Sequence, residues 1–184
     1  MKYKTIWPAL VLLAATAAWA AAAANLPFRL ISKQNKQYIS QANFPMSSPE
    51  LRPNRQDNSL STRVKGKYEL LALAGPKGKM MSFQIETLTN PEIRLPAGSE
   101  LTLDVVNVDD DMVHDLYLTT QAPPYPQAVP ATAIGTAVLK PYKGQQYSGS
   151  RLVIEATHAG TAYYVCTVPG HAKKGMVGKI VVTP

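Results

Sequence analysis

The sequence predicts an all-β fold, an antiparallel β-sandwich with an N-terminal extension. From residue 63 onward, short apolar runs alternate with Gly and Pro turns, as in sandwiches built from many short strands. Leu101, Leu103 and Val105 alternate with Thr102 and Asp104, the period of a strand with one buried face. No long segment carries a helical period, and 184 residues suffice to bury a core without disulfides.

Seven segments have the composition of strands, and turns containing Gly separate them. These segments are residues 68–74, 80–86, 100–108, 115–119, 151–156, 161–168 and 176–182. Residues 95–99 and 157–160 are predicted to be turns that each precede a strand. The Pro-containing segment 121–149 is expected to be a long excursion with about one turn of helix.

Residues 1–24 are predicted to be a signal peptide or an N-terminal membrane anchor. Lys2 and Lys4 precede an uncharged apolar run, residues 6–24. The small residues Ala18 and Ala20 are typical of a cleavage site, whereas the length of the run approaches that of a membrane-spanning helix. Both interpretations stay open, with the anchor slightly favoured, and both predict an exported, periplasmic protein.

Residues 25–62 are rich in Gln, Asn, Ser, Pro and Arg and are predicted to be a polar, basic linker, with a helical turn or two within residues 28–39. The formal charge is +7, of which residues 25–67 carry +6 and residues 68–184 carry −1. This segment is expected either to attract anionic lipid headgroups or to be a solvated tether. The domain at 63–184 lacks the basic, aromatic face of a nucleic-acid-binding protein.

The strongest chemical signal is the spacing Cys-x4-His-x4-Met, formed by Cys166, His171 and Met176. A thiolate, an imidazole and a thioether form a soft ligand set that suits copper. Cys166 is the only cysteine, so in an exported chain it is exposed to oxidation unless it is buried or metal-bound. His114 is the natural second histidine. The four residues predict one mononuclear type 1 copper ion.

Several alternatives compete with this interpretation. Met112 competes with Met176 for the axial position, and His158 is expected to be an exposed turn residue and not a ligand. Structural zinc sites use four Cys or His ligands and no thioether. Cys166 and His171 also resemble a thiol nucleophile pair, but the Met-bearing loop and the small β domain argue against that function. Four protein ligands also leave no open metal position for a substrate. We therefore predict that the protein is not an enzyme and has no small-molecule substrate.

Residues 159–182, 95–105 and 122–125 resemble the cupredoxins, and within them the rusticyanin type. The similarity covers about residues 61–184. It implies a Greek-key β-sandwich, one-electron transfer, and His114, Cys166, His171 and Met176 as copper ligands. The leader is similar to that of membrane-associated cupredoxins of acidophiles, which implies c-type cytochromes and a terminal cytochrome oxidase as redox partners. Copper storage or delivery, and an accessory oxidase subunit, are the alternative functions.

The resemblance has one chemical departure. Rusticyanin-type proteins have a serine directly after the first histidine ligand, and this chain has Asp115, preceded by three consecutive aspartates at 109–111. Ionised carboxylates near the metal favour Cu(II) over Cu(I). We therefore expect a lower reduction potential than the family resemblance implies.

Overall fold

The computed structural model describes residues 26–125 and 133–184, and they form two six-stranded sheets packed face to face. The predicted leader, residues 1–24, lies outside the described residues. The strands are β1 (Phe28–Tyr38), β2 (Arg52–Asn54), β3 (Ser59–Ser61), β4 (Lys67–Ala74), β5 (Phe83–Ile85), β6 (Leu88–Thr89), β7 (Glu92–Pro96), β8 (Glu100–Asn107), β9 (Tyr117–Thr119), β10 (Tyr147–Ala156), β11 (Gly160–Val165) and β12 (Val177–Thr183). Short 3-10 helices lie at Gln41–Asn43 and Ala172–Lys174.

The first sheet has the strand order β1-β10-β8-β4-β5-β6, and the second has the order β2-β3-β7-β12-β11-β9. The predicted all-β sandwich is confirmed. The expectation of purely antiparallel pairing is corrected in three places, because β3–β7, β4–β8 and β7–β12 are parallel. In each pair the intervening chain crosses to the other sheet and returns to the same end of the sandwich, so the two strands run in the same direction.

The core lies between the sheets and follows the strand alternation. In β4, alternate residues from Tyr68 to Ala74 are buried, and the residues between them are more exposed. Tyr164 and Phe83, from opposite sheets, meet edge to face with their ring centroids 5.6 Å apart. The Tyr164 hydroxyl donates to the Pro91 carbonyl at 2.7 Å, so this buried polar group is satisfied.

The predicted linker is different in the structure. Residues 28–38 form β1, which pairs antiparallel with β10, and β2 and β3 lie at one edge of the second sheet. The expectation of a linker with a helical turn in 28–39 was wrong, because β1 is an edge strand held by backbone pairing. Eight of its eleven residues are exposed, so it lacks the alternating pattern of a half-buried strand.

The strands end at two opposite poles of the sandwich. Asn107, Val165 and Met176 lie at one end, which we call the Cys166 pole. Phe28, Lys67, Glu100, Ala156 and Thr183 lie at or beside the other end, which we call the Phe28 pole. β11 runs from the Phe28 pole to the Cys166 pole.

The excursion after β9 returns across the Cys166 pole. About one turn of helix was predicted within residues 121–149. The described parts of the excursion, residues 121–125 and 133–146, contain no helix, and residues 126–132 lie outside the described residues. Isolated bridges connect His114 with Leu139 and Tyr117 with Gly135. Within the described ranges, no helix has both the length and the apolar character to cross a membrane.

Candidate metal centre

Three predicted ligands meet at the Cys166 pole. Cys166 directly follows β11, His171 lies in the loop before β12, and His114 comes from the segment between β8 and β9. One donor atom from each residue lies within 4.8 Å of the others, and all three side chains are buried. Among the described residues, this is the one group of His, Cys, Asp and Glu side chains with the geometry to hold a metal ion.

The donor separations fit a single ion. Cys166 Sγ lies 3.4 Å from His171 Nδ1 and 3.9 Å from His114 Nδ1, and the two Nδ1 atoms lie 3.2 Å apart. Metal–nitrogen bonds of about 2.0 Å and metal–sulfur bonds of about 2.3 Å, at angles of about 105–130°, require separations of about 3.2–3.9 Å. The observed triangle therefore has the size that one thiolate and two imidazoles adopt around one metal.

Asp109 orients His114. Its Oδ2 lies 3.2 Å from His114 Nε2. An ionised carboxylate only accepts, so the neutral imidazole carries its proton on Nε2 and directs the Nδ1 lone pair to the centre. Gly75 packs directly behind this pair with a φ of +70°, and a Cβ there would lie 2.5 Å from Nε2 and 2.6 Å from the Asp109 Cβ. Glycine is required at this position both by backbone conformation and by space.

Burial controls protonation at the centre. It lowers the pKa of His114, an effect that Asp109 partly opposes. Burial also lowers the pKa of His171, and the neighbouring His114 lowers it further. Both imidazoles therefore favour the neutral, metal-binding form. Burial raises the pKa of the Cys166 thiol to about 12, so a metal ion must displace the thiol proton when it binds.

The backbone closes the loop from Cys166 to Met176. Cys166 N–H donates to the Met176 carbonyl, and Met176 N–H donates to the His171 carbonyl, both at 3.1 Å. Gly175, with a φ of +99°, ends the short helix Ala172–Lys174 and turns the chain into β12. Met176 is fully buried in this closed loop, whereas the competing Met112 is only half-buried.

Asp115 joins the two segments that carry the donors. Its Oδ1 accepts from Thr167 N–H at 2.6 Å, and its Oδ2 accepts from the Thr167 hydroxyl at 2.5 Å. Asp115 and Thr167 are both buried. Because Asp115 follows His114 and Thr167 follows Cys166, these hydrogen bonds fix the two donor segments relative to each other.

Sequence reasoning missed the residues that support the donors. Asn107 is buried, and its side-chain NH2 donates to the carbonyls of Met112 and Leu139 at 2.9 and 3.0 Å. It shapes the loop that brings Asp109 to His114. The run of three aspartates indicated acidic character but not which carboxylate contacts the histidine. His158 is exposed at the Phe28 pole, as predicted for a residue that is not a ligand.

The surface beside the centre is concave. His171 is 6% exposed. A depression of about 650 Å³ lies against this centre and is lined by Pro123, Pro124, Tyr125, Cys166, Val168, Gly170, Ala172 and Lys173. Lys173 and Lys174 are exposed beside it. The buried donors therefore lie directly beneath a mostly apolar surface with two cations at its margin.

A β-sandwich with a buried Cys-His-His centre at one end defines the class of blue copper proteins. Residues 71–183 match the family model of copper binding proteins of the plastocyanin/azurin family. The chain belongs to this family. Its resident cofactor is one type 1 copper ion, which the donor set and separations described above fit.

Among individual proteins, the chain is similar to rusticyanin. It is 36% identical over 104 residues to rusticyanin from Acidithiobacillus ferrooxidans, a match that covers 55% of this chain and 66% of the relative. The match to rusticyanin from Acidithiobacillus ferridurans has the same identity and covers 54% of the relative. The chain thus spans between about half and two thirds of the length of these curated relatives.

Solved structures extend the similarity toward the N-terminus. The structure of rusticyanin from Thiobacillus ferrooxidans matches with a TM-score of 0.67 and 25% identity, covering 83% of this chain and 99% of that one. Reduced rusticyanin matches with a TM-score of 0.64 and 26% identity, covering 82% of this chain and all of that one. This share of the chain exceeds residues 63–184, which agrees with β1–β3 being part of the sandwich.

Proposed function

We propose that this protein is an exported one-electron carrier whose type 1 copper ion is bound by His114, Cys166, His171 and Met176. The observation that carries the proposal is the buried triangle of Cys166, His114 and His171 donors, with separations of 3.2–3.9 Å. Met176 would be the fourth ligand, because it is buried and its backbone is hydrogen-bonded to both Cys166 and His171. The copper ion supplies one-electron chemistry by alternating between Cu(II) and Cu(I).

The contribution of the protein is a donor set that changes little between the two oxidation states. Asp109 holds the His114 ring, and Asp115 joins the His114 and Cys166 segments through Thr167. The closed loop Cys166–Met176 fixes the remaining donors. Because these contacts hold each donor segment in place, little reorganisation opposes the arrival or departure of an electron.

Electron exchange is assigned to the surface depression beside His171. The Nδ1 atom of His171 faces the centre, so the opposite edge of the ring is directed toward the loop surface. A mostly apolar surface of this kind suits a small, transient interface between redox proteins. Lys173 and Lys174 favour a partner with an acidic margin. We propose c-type cytochromes and a terminal cytochrome oxidase as the periplasmic donor and acceptor.

Stopped-flow spectroscopy tests this assignment. Copper-loaded, reduced protein is mixed with an oxidised c-type cytochrome, and reduced cytochrome and oxidised copper are expected to form at equal rates. Lys173→Glu with Lys174→Glu should slow the reaction with an acidic partner. The matched variant Arg63→Glu with Lys65→Glu, exposed in the loop before β4 at the Phe28 pole, should slow it less. If no electron passes, and a mild chelator removes the copper readily, storage or delivery replaces electron transfer as the function.

A further inference from the structure

The Phe28 pole is the end of the sandwich at which the described fold begins, directly after residues 1–25. Leu26 and Phe28 are each 5% exposed, and Pro27 is also buried. Thr157 N–H donates to the Pro27 carbonyl at 2.9 Å, so the fold holds the chain from Leu26 onward. Only Asn25 separates the apolar run 6–24 from the folded domain. The predicted 38-residue tether is therefore replaced by a direct connection.

The direction of β11 places the metal donors far from this connection. Gly160, at the start of β11, lies next to Pro27, and Cys166 follows the last residue of the strand. A strand rises by about 3.3 Å per residue, so the donor centre lies roughly 20 Å from the point at which the apolar run joins the domain. A surface that contacts the Phe28 pole cannot also cover His171.

The side chains at this pole combine cations with one exposed apolar residue. The loop before β4 contains Arg63, Val64 and Lys65, all exposed, and Val64 is 69% exposed. In the described part of the chain, no carboxylate lies within ion-pair distance of Arg63 or Lys65.

The two other cations of the pole have acidic partners. Lys67 pairs with Glu100 at 3.2 Å, and Arg29 pairs with Glu155. These pairs neutralise the acidic groups of the surface, so Arg63 and Lys65 supply its excess positive charge.

We propose that the Phe28 pole is a membrane-contact surface for anionic lipid headgroups, so that the Cys166 pole is directed away from the bilayer. The proposal rests on the export assigned under the proposed function. It also takes the anchor interpretation of residues 1–24, which only Asn25 separates from Leu26, the first residue of the described fold. Val64 then enters the interface, and Arg63 and Lys65 contact lipid phosphate. Each cation close to such a surface favours attachment roughly fivefold.

Lysine footprinting of the full chain tests this orientation. The protein is reconstituted with phosphatidylcholine vesicles that contain or lack phosphatidylglycerol, and lysines are acylated with a water-soluble reagent and quantified by mass spectrometry. With phosphatidylglycerol present, acylation of Lys65 and Lys67 should fall several-fold relative to protein in neutral detergent. Acylation of Lys173 and Lys174, at the Cys166 pole, should not change.

Charge reversal distinguishes protection caused by the basic surface from protection caused by the leader alone. In Arg63→Glu with Lys65→Glu, the protection of Lys67 should be lost, although the apolar leader is unaltered. The matched variant Lys173→Glu with Lys174→Glu should keep Lys67 protected. Equal acylation of Lys67 with both vesicle types, or protection of Lys173 and Lys174, overturns the proposal.

The copper absorption spectrum of the same samples distinguishes failure of the membrane-surface proposal from failure of the proposed function. Loss of the copper band with protection of Lys65 and Lys67 retained counts against the electron-carrier assignment and supports the membrane surface. An intact copper band without protection overturns the membrane surface alone.

Discussion

The two poles of the sandwich use polar residues in opposite ways. At the Cys166 pole, polar side chains are buried and hydrogen-bonded: Asp109 to His114, and Asp115 to Thr167. At the Phe28 pole, Arg63 and Lys65 are exposed and without ion-pair partners among the described residues. Buried polar groups restrict geometry, whereas exposed charges add attraction without restricting it.

The comparison separates a pole that fixes metal donors from a pole that attaches the protein. Substitutions at the Cys166 pole should change stability, copper affinity or potential, because each removes a buried contact. Substitutions at the Phe28 pole should change surface binding only.

Asp115→Ala should lower the free energy of unfolding by about 2–4 kcal/mol, because it leaves the Thr167 N–H and hydroxyl buried without an acceptor. Denaturant unfolding of the copper-free protein measures the change. Asp115→Asn keeps one acceptor oxygen and should lose about half as much. Equal stability of Asp115→Ala and the wild type would show that Asp115 does not join the two segments.

Asp109→Ala should weaken copper binding about 10- to 100-fold, because it removes the acceptor that orients the His114 ring. Competition with a chelator of known affinity measures the change. Asp110, the next residue, is exposed, and Asp110→Ala is the matched control. An equal loss in both variants would assign the effect to general acidity and not to the contact with His114.

Asp115→Ser should raise the reduction potential, because a carboxylate beside the donor segment favours Cu(II) over Cu(I). A redox titration of the copper-loaded protein followed by its absorption measures the midpoint. Asp110→Ser removes a more remote, solvated charge and should shift the midpoint less. A potential that stays constant or falls in Asp115→Ser contradicts the expected role of this residue.

Arg63→Glu with Lys65→Glu should change the free energy of unfolding by less than about 0.5 kcal/mol, because both side chains are exposed and unpaired. The copper absorption spectrum should also be unchanged. Denaturant unfolding and absorption of the same sample measure both quantities. A spectral change would show that the two poles are coupled, which the separation of roughly 20 Å argues against.

The sequence was informative where function or burial imposes a local pattern. Alternation predicted β8, although its polar residues Thr102 and Asp104 are buried as well, so the expectation of a single buried face was wrong. The spacing of Cys166, His171 and Met176 predicted the loop that carries two of the clustered donors. β1 was missed because an exposed edge strand has no alternating pattern, and its position depends on pairing with β10, more than a hundred residues away. Asp109 could not be selected from three consecutive aspartates, because the choice depends on the turn that Asn107 stabilises.

The most direct test of the account is the visible absorption spectrum of the oxidised, copper-loaded protein beside that of Cys166→Ser. The account predicts an intense thiolate-to-copper band in the wild type and none in the variant, because Cys166 provides the only thiolate of the chain. Copper binding to the wild type without that band would contradict a type 1 centre and the electron-transfer function derived from it.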